Sequence, residues 1–123
     1  MTPEAAFSAW LSDAVGARAY ADGHVPDSAE YPFVTFTLPA SAWGAAPTAA
    51  TVDIWTRGEG EAATNARARA LSRAIGLGGV LLACDGGGMW LTRGEPWCQA
   101  VADDDPAVSR RRINVSVEWI TTD

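Results

Sequence analysis

The chain has 123 residues, which is enough for one hydrophobic core, and we expect a single domain over residues 1–123. Hydrophobic residues make up 48% and charged residues 20%, as in an ordinary globular protein. The formal net charge of -6 argues against tight nucleic-acid binding, because that affinity depends largely on neutralising phosphates.

Targeting signals and cysteine usage favour an intracellular protein. The N-terminus has no basic region followed by an apolar run, and no apolar stretch reaches the ~18 residues that a membrane span requires. Cys84 and Cys98 form no CxxC pair and are too few to predict a metal site. We interpret them as small buried hydrophobic residues in a reducing compartment.

The first third of the chain predicts a helix and a strand. Thr2 can cap a helix that begins at Pro3, and Gly16 is a typical residue at which such a helix ends. Residues 17–30 are polar and rich in turn signals. Residues 31–38 predict a strand, because apolar side chains alternate along it.

The middle of the chain predicts a loop, a second strand and the clearest helix. Residues 39–50 form a loop rich in small residues, which carries Trp43 and which we expect to be exposed. Residues 51–56 predict a strand. Residues 59–75 predict a helix, with acidic residues at its start and basic residues toward its end, as the helix dipole favours. Its predicted packing face comprises Ala63, Ala70, Leu71, Ala74 and Ile75.

The last part of the chain is rich in strands. Apolar runs at 80–83 and 89–92 flank a glycine-rich turn and predict a hairpin, and residues 97–101 predict another strand. The acidic turn Asp103–Asp105 follows, and it could neutralise the basic triplet at 110–112 across the bend. The final strand is half-buried, since polar residues alternate with Ile113, Val115, Val117 and Trp119.

The order of these elements determines the expected fold class. A helix, two strands, a helix and then several strands predict an α+β fold, with an antiparallel sheet and two main helices packed on one face.

Residue types with catalytic potential do not converge in the sequence. His24 is the only histidine and has no evident nucleophile as a partner. The Asp103–Asp105 run lacks the spacing of a calcium loop, and no Lys-Ser/Thr follows the glycines after Asp85 as a phosphate loop requires. We therefore expect no enzyme activity, no catalytic residues, no bound metal and no cofactor.

The layout as a whole resembles a known family. It combines the strand Tyr31–Phe36 (YPFVTF), the strand Val52–Trp55 (VDIW), an Ala- and Arg-rich helix over 62–75 and the closing strand Ile113–Val117 (INVSV). This order is similar to that of the tail-terminator, tail-completion and minor-capsid (head–tail joining) proteins of tailed bacteriophages and prophages.

The resemblance implies a structural virion protein. Its members form rings, commonly hexamers, that cap the tail tube and connect it to the head. It implies tail-tube and head-connector proteins as partners, DNA that passes through the lumen without specific binding, no membrane, and a location in the bacterial host cytoplasm during assembly and then in the virion. As candidate residues of the interface with other subunits or axial partners we assign Trp43, Arg110, Arg111 and Arg112.

A second reading comes from the six tryptophans. Trp is enriched at interfaces and in binding sites because it joins a large apolar ring to a polar N–H. A small non-enzymatic ligand-binding or regulatory α+β module, with a pocket lined by Trp55, Trp90 and Trp97, is the alternative function.

Overall fold

The computed structural model describes residues 1–42 and 44–121, without the side chain of Thr121. These residues form two helices and six strands. In chain order, the elements are α1 (Pro3–Val15), β1 (Arg18–Ala21), β2 (Phe33–Thr37), β3 (Thr48–Arg57), α2 (Glu61–Ile75), β4 (Val80–Cys84), β5 (Gly87–Val101) and β6 (Val108–Thr121).

The strands form one mixed sheet in the order β1-β2-β3-β6-β5-β4. The expected α+β class is confirmed, but the expectation of a wholly antiparallel sheet is wrong at one edge, where β1 and β2 are parallel. Parallel neighbours require a connection that returns the chain along the strand, which residues 22–32 provide. The other four strand pairs are antiparallel.

Both helices lie against the same face of the sheet. They contact each other, and α1 contacts β1 and β4, the two edge strands, so the sheet curls around the helices. The core between them is apolar, and Phe7 of α1 packs edge-on against Phe36 of β2 with 5.4 Å between ring centroids. Its largest fully buried side chains include Phe7, Leu11, Ile54, Leu71, Met89 and Ile113.

The sequence places α2 correctly and its packing face in part. Leu71 and Ile75 are buried as predicted, Ala63 and Ala70 are half-buried, and Ala74 is exposed. The buried face is completed by Thr64 and Ala68, which were not predicted. Thr64 can be buried because its hydroxyl hydrogen-bonds to that of Thr56 at 2.7 Å, which satisfies both polar groups inside the core.

The strand-rich part follows the predicted pattern. The predicted hairpin is confirmed as β4 and β5, and the strand expected at 97–101 is the end of a single long β5. Gly94 lies at an irregularity of β5, where a Cβ would come within 2.7 Å of the carbonyl oxygen of Asn114, so only glycine fits there. In β6 the predicted alternation is confirmed: Ile113, Val115, Val117 and Trp119 are buried.

The corrected helix face leads to a stability prediction. Ala68 is 5% exposed, so Ala68→Leu should overpack the contact between α2 and the sheet and lower the free energy of unfolding by about 1–3 kcal/mol. Ala66→Leu is the matched control, because Ala66 is exposed on the same helix and should change stability by less than about 0.5 kcal/mol. Urea denaturation followed by circular dichroism measures both. Equal stability of the two variants would refute the assigned packing face.

Candidate protein-interaction surface

The face of the sheet opposite the helices carries the charged and aromatic side chains of the central strands. We call it the outer face. Asp53 and Trp55 reach it because they alternate with the buried Val52 and Ile54 along β3. The β3–β6 register brings Arg112 directly opposite Asp53, and Arg110 opposite Trp55. Cross-strand neighbours share a face, so these four side chains lie together.

Asp53 is the centre of this cluster and bonds two guanidinium groups. Arg110 donates to its carboxylate from Nε at 3.0 Å, and Arg112 donates from Nε at 3.1 Å and from Nη2 at 3.2 Å. The Asp53 side chain is only 8% exposed, whereas that of Arg112 is 41% exposed. The hydrogen bonds to Asp53 and the negative charge of the Asp53 carboxylate raise the pKa of Arg112.

Aromatic rings extend the cluster toward β1. The guanidinium of Arg110 lies 4.1 Å from the ring centroid of Trp55, within cation–π range. Trp55 also donates from Nε1 to the hydroxyl of Thr35 at 3.0 Å, and its ring stacks on Phe33 at 5.8 Å. Tyr31 packs against Phe33 in turn. The outer face at this end is therefore a continuous aromatic surface with a cation on it.

Arg111 lies on the other face of the sheet, under the helices. Its guanidinium donates to the Glu61 carboxylate and, at 3.0 Å, to Oδ1 of Asn65, both on α2. Arg111 is 8% exposed. Its hydrogen bond and its charge lower the pKa of Glu61. Alternation along a strand thus divides the basic triplet between two faces, and Arg111 fastens β6 to the start of α2.

The basic triplet at 110–112 does not pair with the acidic turn Asp103–Asp105, although the sequence suggested that the turn could neutralise it. Arg110 and Arg112 pair with Asp53, whereas Asp105 pairs with Arg57 at 3.0 Å. The backbone N–H of Ala107 and then Arg57 lower the pKa of Asp105. The partner of Arg110 and Arg112, Asp53, was not predicted from the sequence. The available signal was a carboxylate in the middle of an otherwise apolar and β-branched strand.

The other residues singled out in the sequence do not form a site within the described residues. Trp43 lies outside the described residues. His24 is exposed in the segment between β1 and β2, and its Nδ1 is 3.2 Å from the carbonyl oxygen of Asp22. Across residues 1–42 and 44–121, His, Cys, Asp and Glu side chains do not gather in threes or more at a potential metal site. In the same residues, no helix is both long and apolar enough to cross a membrane.

The three tryptophans of the alternative reading do not share one pocket. Trp55 lies on the outer face, and Trp90 joins it there because it is opposite Glu118 between the buried Met89 and Leu91. Trp97 packs against the helix-side core. The cleft beside Asp53 has a volume of about 80 Å³, well below the ~300 Å³ at which small-molecule sites begin.

Comparison with solved structures gives an informative similarity of fold. The sequence matches no protein-family model and no curated protein. Its fold is similar to that of a chain in the virion of a native gene transfer agent particle, with a TM-score of 0.58 and 20% identity over 96% of both chains. At that identity the similarity establishes a shared fold.

The Asp53 cluster gives a second stability prediction. Asp53→Asn removes the charge that Arg110 and Arg112 bond, so we expect a loss of about 1–3 kcal/mol in the free energy of unfolding. Asp105→Asn is the control, because that pair with Arg57 is exposed and solvent screens it, so its loss should change stability little. Urea titration at neutral pH compares them. A loss for Asp53→Asn no larger than that of the control would contradict the central role of Asp53.

The contact between Arg111 and Glu61 predicts a pH dependence. Because the Glu61 pKa is lower in the folded state, its contribution to stability is complete above the ordinary Glu pKa of about 4.3. It is lost as the pH falls through the lower, folded-state value. The wild type should therefore be more stable than Glu61→Gln at neutral pH, and the difference should narrow in acid.

Urea denaturation at a series of pH values from neutral to acid tests this dependence. Glu59→Gln is the control, since Glu59 is exposed and forms no ion pair with another described residue. A gap between wild type and Glu61→Gln that stays constant with pH would exclude the linkage.

Proposed function

We propose that this chain is a structural protein of a phage-like virion, a ring-forming tail terminator or head–tail joining subunit. The observation that carries the proposal is the fold similarity to a chain of a gene transfer agent virion, which extends over 96% of both chains. The order of sequence elements that resembles tail-terminator and minor-capsid proteins supports it separately. The identification rests on whole-chain architecture and not on a local motif.

In this proposal the protein is not an enzyme and works through its surfaces. It forms a homo-oligomeric ring, a hexamer by analogy with the family, between the tail tube and the head-connector proteins. DNA passes through the lumen, and the net charge of -6 suits a wall that DNA does not bind. Assembly takes place in the bacterial cytoplasm, and the protein remains in the virion.

The proposed interface residues have different roles in this reading. Trp43, Arg110 and Arg112 are the candidates for direct contact with other subunits or axial partners. Arg110 and Arg112 are held by Asp53 in fixed positions on the outer face, so a partner meets an ordered surface. Arg111 acts on the same surface only indirectly, by fastening β6 to α2.

Deletion of the gene from a complete inducible prophage tests the proposed function. Without a terminator, tube growth is uncapped and the tail is not joined to the head. We therefore expect overlong or unattached tails in electron micrographs of induced lysates. Expression of the wild-type gene from a plasmid should restore tails of normal length on filled heads. Normal, attached tails in the deletion strain would refute the proposal and favour the small binding module.

A further inference from the structure

Exposed apolar side chains on the outer face gather at one corner of the sheet. Two adjacent cross-strand rows lie there: Leu81, Trp90 and Glu118 in one, and Ala83, Gly88 and Ile120 in the next. Leu81 is 54% exposed and Ile120 43% exposed. We call this the aliphatic corner. Glu118 is its exposed charge, and it forms no ion pair with any other described residue.

The diagonally opposite corner of the same face is aromatic and carries a cation. One cross-strand row there runs from Arg18 through Phe33 and Trp55 to Arg110. Tyr31, 41% exposed, covers Phe33. We call this the aromatic corner.

Arg18 is the cation of the aromatic corner that has no ion-pair partner within the described residues, and it is exposed at the sheet edge. Arg110 pairs with Asp53, a carboxylate that it shares with Arg112. Glu30 shares a groove of about 460 Å³ with Arg18 and Tyr20.

The charges of the two corners favour contact between unlike corners of two copies of the chain over contact between like corners. Pairing the aliphatic corners of two copies would bring two Glu118 carboxylates into one apolar contact, and pairing the aromatic corners would oppose two Arg18 guanidiniums. Like charges at an interface raise the free energy of association, whereas contact between Glu118 and Arg18 lowers it. Contact between different surfaces of identical subunits is head-to-tail, and such contacts form a ring when the rotation closes.

We propose, on the basis of the ring function proposed above, that the aliphatic corner of one subunit docks on the aromatic corner of the next copy of this chain, with Glu118 facing Arg18. The contact covers Leu81 and Ile120 with the ring of Tyr31, which lies over Phe33. The Asp53 cluster lies on the same face between the two corners and holds Arg110 beside Trp55.

Charge reversal tests the pairing in the full-length protein. Sedimentation across a concentration series gives the dissociation constant for self-association. Glu118→Arg and Arg18→Glu should each raise it about ten-fold or more, because each places like charges in contact. The double variant restores an opposite-charge pair and should return to within about three-fold of wild type, as coupled residues do. Equally weakened single and double variants would overturn the proposal.

Matched controls and a folding check accompany the series. Glu59→Arg and Arg69→Glu reverse exposed charges outside both corners and should leave self-association unchanged. All variants should keep the wild-type urea midpoint, which separates interface loss from unfolding. A wild-type chain that stays monomeric at the highest concentration overturns this interface, whereas the proposed function stands or falls separately on the tail phenotype of the deletion strain.

Cross-linking locates the contact independently. The chain contains no lysine, so Arg18→Lys introduces the only side-chain amine. A zero-length carbodiimide reagent should then form an amide between position 18 and Glu118. In a mixture of ¹⁵N-labelled and unlabelled chains, mass spectrometry should find this peptide pair with mixed labels. Cross-links from position 18 that go only to other carboxylates would refute the pairing.

Discussion

The register of β6 between β3 and β5 is the constraint on which the rest of the structure depends. β6 pairs with β3 on one side and with β5 on the other, and its side chains alternate between the core and the outer face. A slip of one residue would exchange the faces of the whole strand. Ile113 and Val115 would then lose burial, and Arg112 would lie under the helices without Asp53. Burying an unpaired charge is costly, so Asp53 reinforces the register that the apolar residues specify.

Arginine side chains also fix the helices against the sheet and against each other. Arg67 of α2 donates at 3.0 Å and 3.1 Å to the carbonyls of Val15 and Gly16, where α1 ends. Arg93 of β5 donates at 2.9 Å to the Ser72 carbonyl in the last turn of α2, and Arg111 binds the first turn of the same helix. The last carbonyls of a helix carry partial negative charge, so cations are favourable there. These arginines hold elements in place on the helix side.

Patterns with a strong period were predictable from the sequence, and features set by tertiary contacts were not. The alternation in β6 and the apolar runs around the glycine turn of the hairpin each determine a local structure. β1 is four residues long, and its parallel pairing depends on where the following segment leads. In α2, alanines lie around much of the helix, so their positions indicate no direction, and the buried face includes Thr64, a polar residue whose partner lies on another strand. Asp53 likewise acquires its role only through the register.

The two faces of the sheet contribute differently to stability and to contacts with other proteins. The helix side contains the hydrophobic core and the arginine hydrogen bonds to both helices, so the fold does not require a partner protein on the outer face. At the centre of the outer face, polar side chains bond to one another: Asp53 bonds two arginines, and Trp55 bonds Thr35. Toward the corners, Leu81 and Tyr31 stay exposed. A subunit built in this way can fold before it assembles, and its exposed corners can be tuned to a neighbour with little effect on the core. That separation suits a protein whose proposed role lies in its contacts.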